Sequence, residues 1–238
     1  MVQNHLARYA APKHWALERK EHHWTARPKA GPHKISESLT INLLLKELLQ
    51  SAKTTKEVNY ILNNGWIHID KTVRKDFKFP VGFMDVIEVS KTNEAYRLIH
   101  DKKGRLSLLA IPQAETTKKI LKIVGKTIVK KGKTQLNLSD GRNLLLDSFK
   151  GSVGDGVVYD LKEHKILHHI PLKEGTLVYI TAGKHLGEQA TIKNIIRTTG
   201  LEQTKVTLQA GETTFITLIE YALPIGTDKP LISLEAKQ

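Results

Sequence analysis

Basic side chains interleaved with flat rings carry most of the chemistry this sequence offers. Between residues 1 and 34, seven cations (Arg8, Lys13, Arg19, Lys20, Arg27, Lys29 and Lys34) alternate with Trp15, Trp24 and five histidines, His14 and His33 among them. Cations neutralise phosphates, and planar rings stack on unpaired bases or enter a minor groove. The alternative, a loosely solvated tail, leaves two tryptophans without a role. A second run, residues 116–133, holds Lys118, Lys119, Lys122, Lys126, Lys130, Lys131 and Lys133 and no acid. Ile120, Ile123, Val124, Ile128 and Val129 lie between them. This run reads either as a basic face laid against phosphate or as the solvated face of a strand. A third group surrounds a short helix. Lys53 and Lys56 flank its start, where free amides and the positive dipole end suit an anion. On the strand that follows, Trp66 or His68 is placed to stack on a base, or Trp66 is a core residue of an ordinary helix–strand unit.

Other chemistries find little support. The chain has no cysteine, which removes disulfides, thiolate zinc sites, iron–sulfur ligation and cysteine catalysis together. Gly151-Ser-Val-Gly154-Asp-Gly156 lacks the Gly-Lys-Ser/Thr end and the helix of a phosphate loop, and reads as a β-turn. There is no Gly-x-Ser-x-Gly elbow and no His-Glu-x-x-His. Among the five arm histidines only His22 and His23 are adjacent and none forms an i, i+4 pair, so no metal site is expected. No cofactor and no small-molecule substrate are expected either.

These groups need a scaffold to position them. In 238 residues, Lys plus Arg outnumber Asp plus Glu 37 to 24, and 40% of residues are apolar. That balance describes a folded chain with a positive surface, whose commonest partner is a nucleic acid. The most apolar helical stretch, residues 41–49, is interrupted by Asn42, Lys46 and Glu47 and is too short to cross a bilayer, so no membrane partner is expected. The N-terminus carries no apolar signal core, which points to a cytoplasmic protein.

The patterning predicts an α+β, multidomain chain. Residues 1–35 form an extended basic arm with one helical turn around Trp15–Lys20. Residues 36–104 hold a helix capped by Ser36 or Ser38 and running to about Gln50, then a second helix opened by the Thr54–Glu57 capping box and closed at Gly65. Residues 66–69 read as a strand, Asp70-Lys71-Thr72 as a turn and residues 85–89 as another strand. Residues 96–100 and 105–111 form a hairpin. Residues 105–170 look all-β, and residues 171–220 are a small β unit with strands near 177–181, 189–196, 205–209 and 213–219. Residues 221–238 read as an extended tail.

Specific strings then bring a resemblance. Residues 43–49, Lys53-Thr-Thr-Lys-Glu57, Leu62-Asn-Asn-Gly65-Trp66-Ile67-His68-Ile69-Asp70-Lys71-Thr72-Val73-Arg74 and Gly82-Phe-Met-Asp85-Val86-Ile87-Glu88-Val89 resemble the alpha-L RNA-binding domain. That module implies two helices plus a small sheet forming a concave basic surface, on which Lys71 and Arg74 are further candidate contacts. The sequence departs from it where Asp70-Lys71 replaces an Asn/Asp-Gly pair. Lysine resists the positive φ of that turn, so the turn type is left open. Residues 177–193, with Gly183, Lys184, Gly187 and Lys193, resemble the KOW motif, whose loop backbone approaches a partner closely. The order of modules, with Ala10-Ala11-Pro12-Lys13-His14-Trp15 and Gly31-Pro32-His33-Lys34 before them, is similar to the ribosomal protein S4e family of archaeal and eukaryotic small subunits, from about residue 5 to 235. The resemblance implies an arm, an alpha-L-type domain, a central β domain and a C-terminal KOW small β-barrel.

Three functions are in view. The leading one, implied by the resemblance, is a non-catalytic constituent of the small ribosomal subunit that binds small-subunit ribosomal RNA beside neighbouring ribosomal proteins. The second is an RNA-modifying enzyme of pseudouridine-synthase type targeted by the alpha-L domain. The third is a free translation or transcription factor using the KOW unit.

Overall fold

The structure, a computed structural model, describes residues 4–101, 103–196, 203–211, 213–227 and 229–234. It divides into two units, the first ending at Thr117 and the second beginning at Lys118. Among the described residues it is mostly β with two short helical segments, and the expected α+β class is corrected accordingly.

In the first unit a five-stranded antiparallel sheet has the order Thr72–Val73, Ile67–Ile69, Val86–Val89, Glu94–His100, Leu106–Ala110. The last strand completes the hairpin read at residues 96–111, so the break between units falls after Thr117 and not at 104/105. Helix Thr55–Asn63 is started by the expected reciprocal capping box and is followed by Gly65 at φ 71°. Its Val58 and Leu62 pack with Ile41, Leu44, Ile67, Ile87 and Leu98 in the core.

The helix expected from Ser36 or Ser38 to Gln50 is shorter. Ser38–Thr40 is a strand paired with Pro80–Gly82, and the helical segment runs from Ile41 to Leu48 behind Thr40, whose hydroxyl accepts from the Leu43 amide. Ser38 does not cap, because it lies in that strand two residues before the cap, with its hydroxyl donating 2.7 Å to the Lys34 carbonyl. The segment widens into a π turn, with Leu49 N donating to Leu44 O, and stops at Gln50, whose φ is 50°.

Asp70 and Lys71 both take positive φ, 50° and 64°, so the hairpin keeps the tight turn that lysine resists. Two anchors hold it there. Asp70 Oδ1 accepts from Val86 N at 3.0 Å, and Lys71 Nζ reaches Glu88 and Thr116.

The arm is not extended. Leu6–Ala7 and Trp24–Thr25 pair as a small ribbon, Arg8–Ala10 makes a 3₁₀ turn, and Trp15 and Ala11 join the core of the first unit. The helical turn expected at residues 15–20 is absent.

The second unit holds two five-stranded antiparallel sheets. One has the order Asn143–Leu146, Thr134–Leu138, Lys118–Ile128, Gly156–Asp160, Ile166–Ile170. Its long strand pairs one neighbour through residues 118–122 and the other through residues 123–128, with an irregularity between Ile123 and Gly125. The other sheet has the order Thr213–Leu218, Lys205–Ala210, Gln189–Ile196, Leu177–Ile180, Ala222–Gly226. The supposed tail therefore contributes a strand, fully buried because its alternate residues pack on both sides. Residues 228 and 235–238 of that tail lie outside the described residues. The two sheets meet closely at Gly156, where a Cβ would stand 2.5 Å from the Pro224 carbonyl oxygen.

Candidate nucleic-acid interface

Burial sorts the candidate cations into fasteners and surface charges. Arg8 is buried, with its guanidinium between Glu21 (3.0 Å) and Glu47 (2.8 Å) and its Nε donating to the Glu18 carbonyl. Arg19 donates to the carbonyls of Tyr9, Ala11 and Pro12 and so staples the turn of the arm. Lys29 pairs with Asp76, and Arg27 is half-buried. Arg74 lies over the Phe79 ring at 4.3 Å. Lys71 is held by Glu88. Arg8, Arg19, Lys29, Arg74 and Lys71 thus each have a partner inside the chain, Arg8 deep in it and Lys29 at the surface.

The rare strings of the arm turn out to be packing devices. Trp15 is 3% exposed and its indole N–H donates 2.6 Å to the Ser38 carbonyl, with His14 Nε2 at 3.4 Å from the same oxygen. Burial lowers the pKa of His14, opposed by the Ser38 carbonyl and by Glu37. His33 is clamped with Nε2 3.0 Å from both carboxylate oxygens of Asp85, and its ring fills the space a side chain at Gly82 would need. Gly31 similarly lies against Pro80. Trp15, His14 and His33 thus all have partners inside the chain. The first-order signal, an aromatic in a basic run, cannot tell a core ring from a stacking ring.

At the helix Thr55–Asn63 the expected anion site is already filled. Glu57 accepts from the amides of Lys53 (2.8 Å) and Thr54 (3.4 Å), and those backbone donors hold its carboxyl below the usual range. Lys53 and Lys56 stay exposed beside it. Trp66 is half-buried, edge-on to the exposed Tyr60 at 5.7 Å, with the Lys91 ammonium 4.5 Å over its ring. His68 bonds Ser90. This Tyr60–Trp66–Lys91 group was not legible beforehand, since Lys91 comes from a different hairpin.

Of the lysine run, Lys119 is fully buried 3.5 Å from Asp140. Lys122 donates to the carbonyls of Ile219 (2.9 Å), Glu220 (2.8 Å) and Ala222 (2.8 Å), joining the two sheets of the second unit. Burial pulls its pKa down to about 8, against the pull of Glu220, so it is still charged at neutral pH. Lys126 donates to Phe149 and Gly151 carbonyls, and Lys133 faces Asp147. Lys118 and Lys130 are exposed, and the side chain of Lys131 lies outside the described residues. The run is therefore mixed: Lys119 and Lys122 face inward, while Lys118, Lys126, Lys130 and Lys133 are exposed.

Gly183 and Gly187 bracket the loop between Leu177–Ile180 and Gln189–Ile196 at φ 94° and 87°, a conformation that favours glycine, and Lys184 and Lys193 project from this hairpin. Lys13, Lys20, Lys34, Lys53, Lys56, Lys130, Lys184 and Lys193 are the candidates that remain exposed without a partner named above. Trp24 and Tyr9 are the exposed rings of the arm, at 53% and 68%.

Two β-rich units carrying many exposed lysines and a few exposed rings define a protein built to bind polyanions. Comparison with known proteins narrows the class. The model of the ribosomal family S4e matches residues 92–166, and that of the RS4NT domain matches residues 2–36. Small ribosomal subunit protein eS4 of Methanosphaera stadtmanae is 42% identical over 98% of this chain and 96% of its own. The eS4 protein of Methanothermobacter thermautotrophicus is 41% identical over the same shares. A crystal structure of the 30S ribosomal protein S4e from Thermoplasma acidophilum has a TM-score of 0.71 and 30% identity, covering 84% of this chain and 99% of that one. The chain belongs to the eS4 (S4e) family of small ribosomal subunit proteins.

Proposed function

We propose that this chain is a structural, non-catalytic constituent of the small ribosomal subunit, in the cytoplasm, that binds small-subunit ribosomal RNA beside neighbouring ribosomal proteins. The observation that carries this reading is the identity of about two residues in five with eS4 proteins along 98% of the chain. The exposed lysines of both units supply the cations such binding needs. In this reading the helical segments and hairpin of residues 41–89 act as the alpha-L-type surface. The sheet from Leu177 to Gly226 acts as the KOW-type unit, with its Gly183–Gly187 loop turned to RNA. Lysines that point outward position the protein on phosphates. Specificity comes from RNA shape and unpaired bases, because the A-form major groove is too narrow for side chains. The RNA-modifying reading is not favoured, since the relatives matched along the chain's length are ribosomal constituents by name.

The test is binding of the full chain to small-subunit ribosomal RNA across salt concentrations. With six or more phosphates contacted, affinity should fall by roughly 10³-fold or more between 50 and 200 mM salt. Removing Lys53 and Lys56 together (Lys53→Gln, Lys56→Gln) should flatten the log–log slope by about one to two. Affinity independent of salt would overturn the reading.

A further inference from the structure

The arm holds an exposed ring cluster that the lysine-based reading leaves unused. In the ribbon Leu6↔Thr25 and Ala7↔Trp24 are paired, so side chains alternate between two faces. Leu6 turns to the core of the first unit and the Thr25 hydroxyl is buried, which sends Trp24 outward. Two histidines brace the indole edge-on: His5 at 4.8 Å and 76°, and His23 at 4.3 Å and 85°. Perpendicular ring neighbours hold the indole in one orientation. The residue opposite Trp24 is alanine, too small to lie across the indole, and more than half of Trp24 is open to solvent. Glu21, the acid nearest Trp24 in sequence, is engaged by Arg8 at 3.0 Å and lies 3.5 Å from His22 Nε2.

We infer that Trp24 is a stacking platform for one unpaired nucleobase, held in orientation by His5 and His23. This rests on the RNA-binding reading above and deepens it, naming the ligand class of one ring: a single-stranded nucleotide, not a duplex. The braced ring, with more than half of its surface open, suits a flat π-ligand whose sugar-phosphate stays in water.

The chain's other tryptophans give the experiment its contrast, since Trp15 is buried and Trp66 lies under Lys91. Full-length protein is titrated with hexaadenylate and with a blunt duplex RNA, following tryptophan emission as the difference between wild type and Trp24→Leu. Hexaadenylate should quench the Trp24 component and the duplex should not. Trp24→Leu should weaken hexaadenylate about tenfold, and Trp24→Phe should recover part of the loss. A thermal melt of each variant, unchanged because the ring lies outside the core, separates loss of stacking from loss of fold. Equal binding of hexaadenylate by wild type and Trp24→Leu, or equal quenching by duplex, overturns the platform. It does so while leaving salt-dependent ribosomal RNA binding intact. Failure of both variants and wild type to bind structured ribosomal RNA overturns the broader reading instead.

Discussion

Single residues here do more fastening than their charges suggest, and substitutions can separate the two. Lys71 sits in the left-handed region, at a cost of about 1 kcal/mol, and offsets it through Glu88 and Thr116. Lys71→Gly removes the strain and the contacts together, whereas Lys71→Ala removes only the contacts. In urea unfolding the glycine variant should therefore be about 1 kcal/mol more stable than the alanine variant. The reverse order would show that the turn is not strained. His33 and Gly82 form a second pair, because a Cβ at Gly82 would occupy the space of the His33 ring. Gly82→Ala should cost about 1–3 kcal/mol, and should cost much less in a His33→Ala background. Additive effects would mean that the ring does not need that glycine. Local chemistry of this kind is only half legible beforehand. The Thr54–Glu57 box and Gly65 announce themselves within a few residues. The clamp of His33 on Asp85 and that of Arg8 on Glu47 depend on partners 52 and 39 positions away.

At the scale of elements, two half-buried bases tie segments together and set how the fold responds to pH and truncation. His100, stacked on Phe83, lies in the strand Glu94–His100, and burial, with the nearby His14, pushes its pKa down to about 4. A histidine with a depressed folded pKa must charge in the unfolded chain first. Stability is thus fully present above about pH 6.5 and falls as pH drops from there to about 4. The loss from His100 alone is at most about 3 kcal/mol. Urea midpoints for the whole chain at pH 7 and pH 5 should differ in that direction, and His100→Gln should reduce the difference. An unchanged midpoint would contradict the burial. In the second unit the Lys122 ammonium satisfies three carbonyls between its sheets. Lys122→Met should cost about 1–2 kcal/mol, since it removes three charge-assisted bonds to partly buried or exposed carbonyls, and should barely alter RNA affinity. A large loss of affinity in a folded Lys122→Met variant would restore this lysine to the phosphate-binding set. The strands were readable from β-branched runs and turn glycines. Which of their lysines turn inward was not readable, because a lysine in a strand looks the same in sequence whether Asp140 or water receives it.

For the whole molecule, the positive charge and the family resemblance were the durable signals. A net charge of +13 with eight exposed candidate lysines survives the removal of Arg8, Lys119, Lys122 and the others to structural duty. The arm changes most between expectation and structure: a basic tether becomes a docked ribbon, with Trp15 inward and Trp24 outward, because strand alternation and a distant core decide what each ring meets. The decisive measurement is co-sedimentation of the full chain with small ribosomal subunits through a sucrose gradient at rising salt. Stoichiometric recovery in the small-subunit peak at low salt, with release as salt is raised, is the expected result. Recovery only at the top of the gradient at every salt concentration would contradict it.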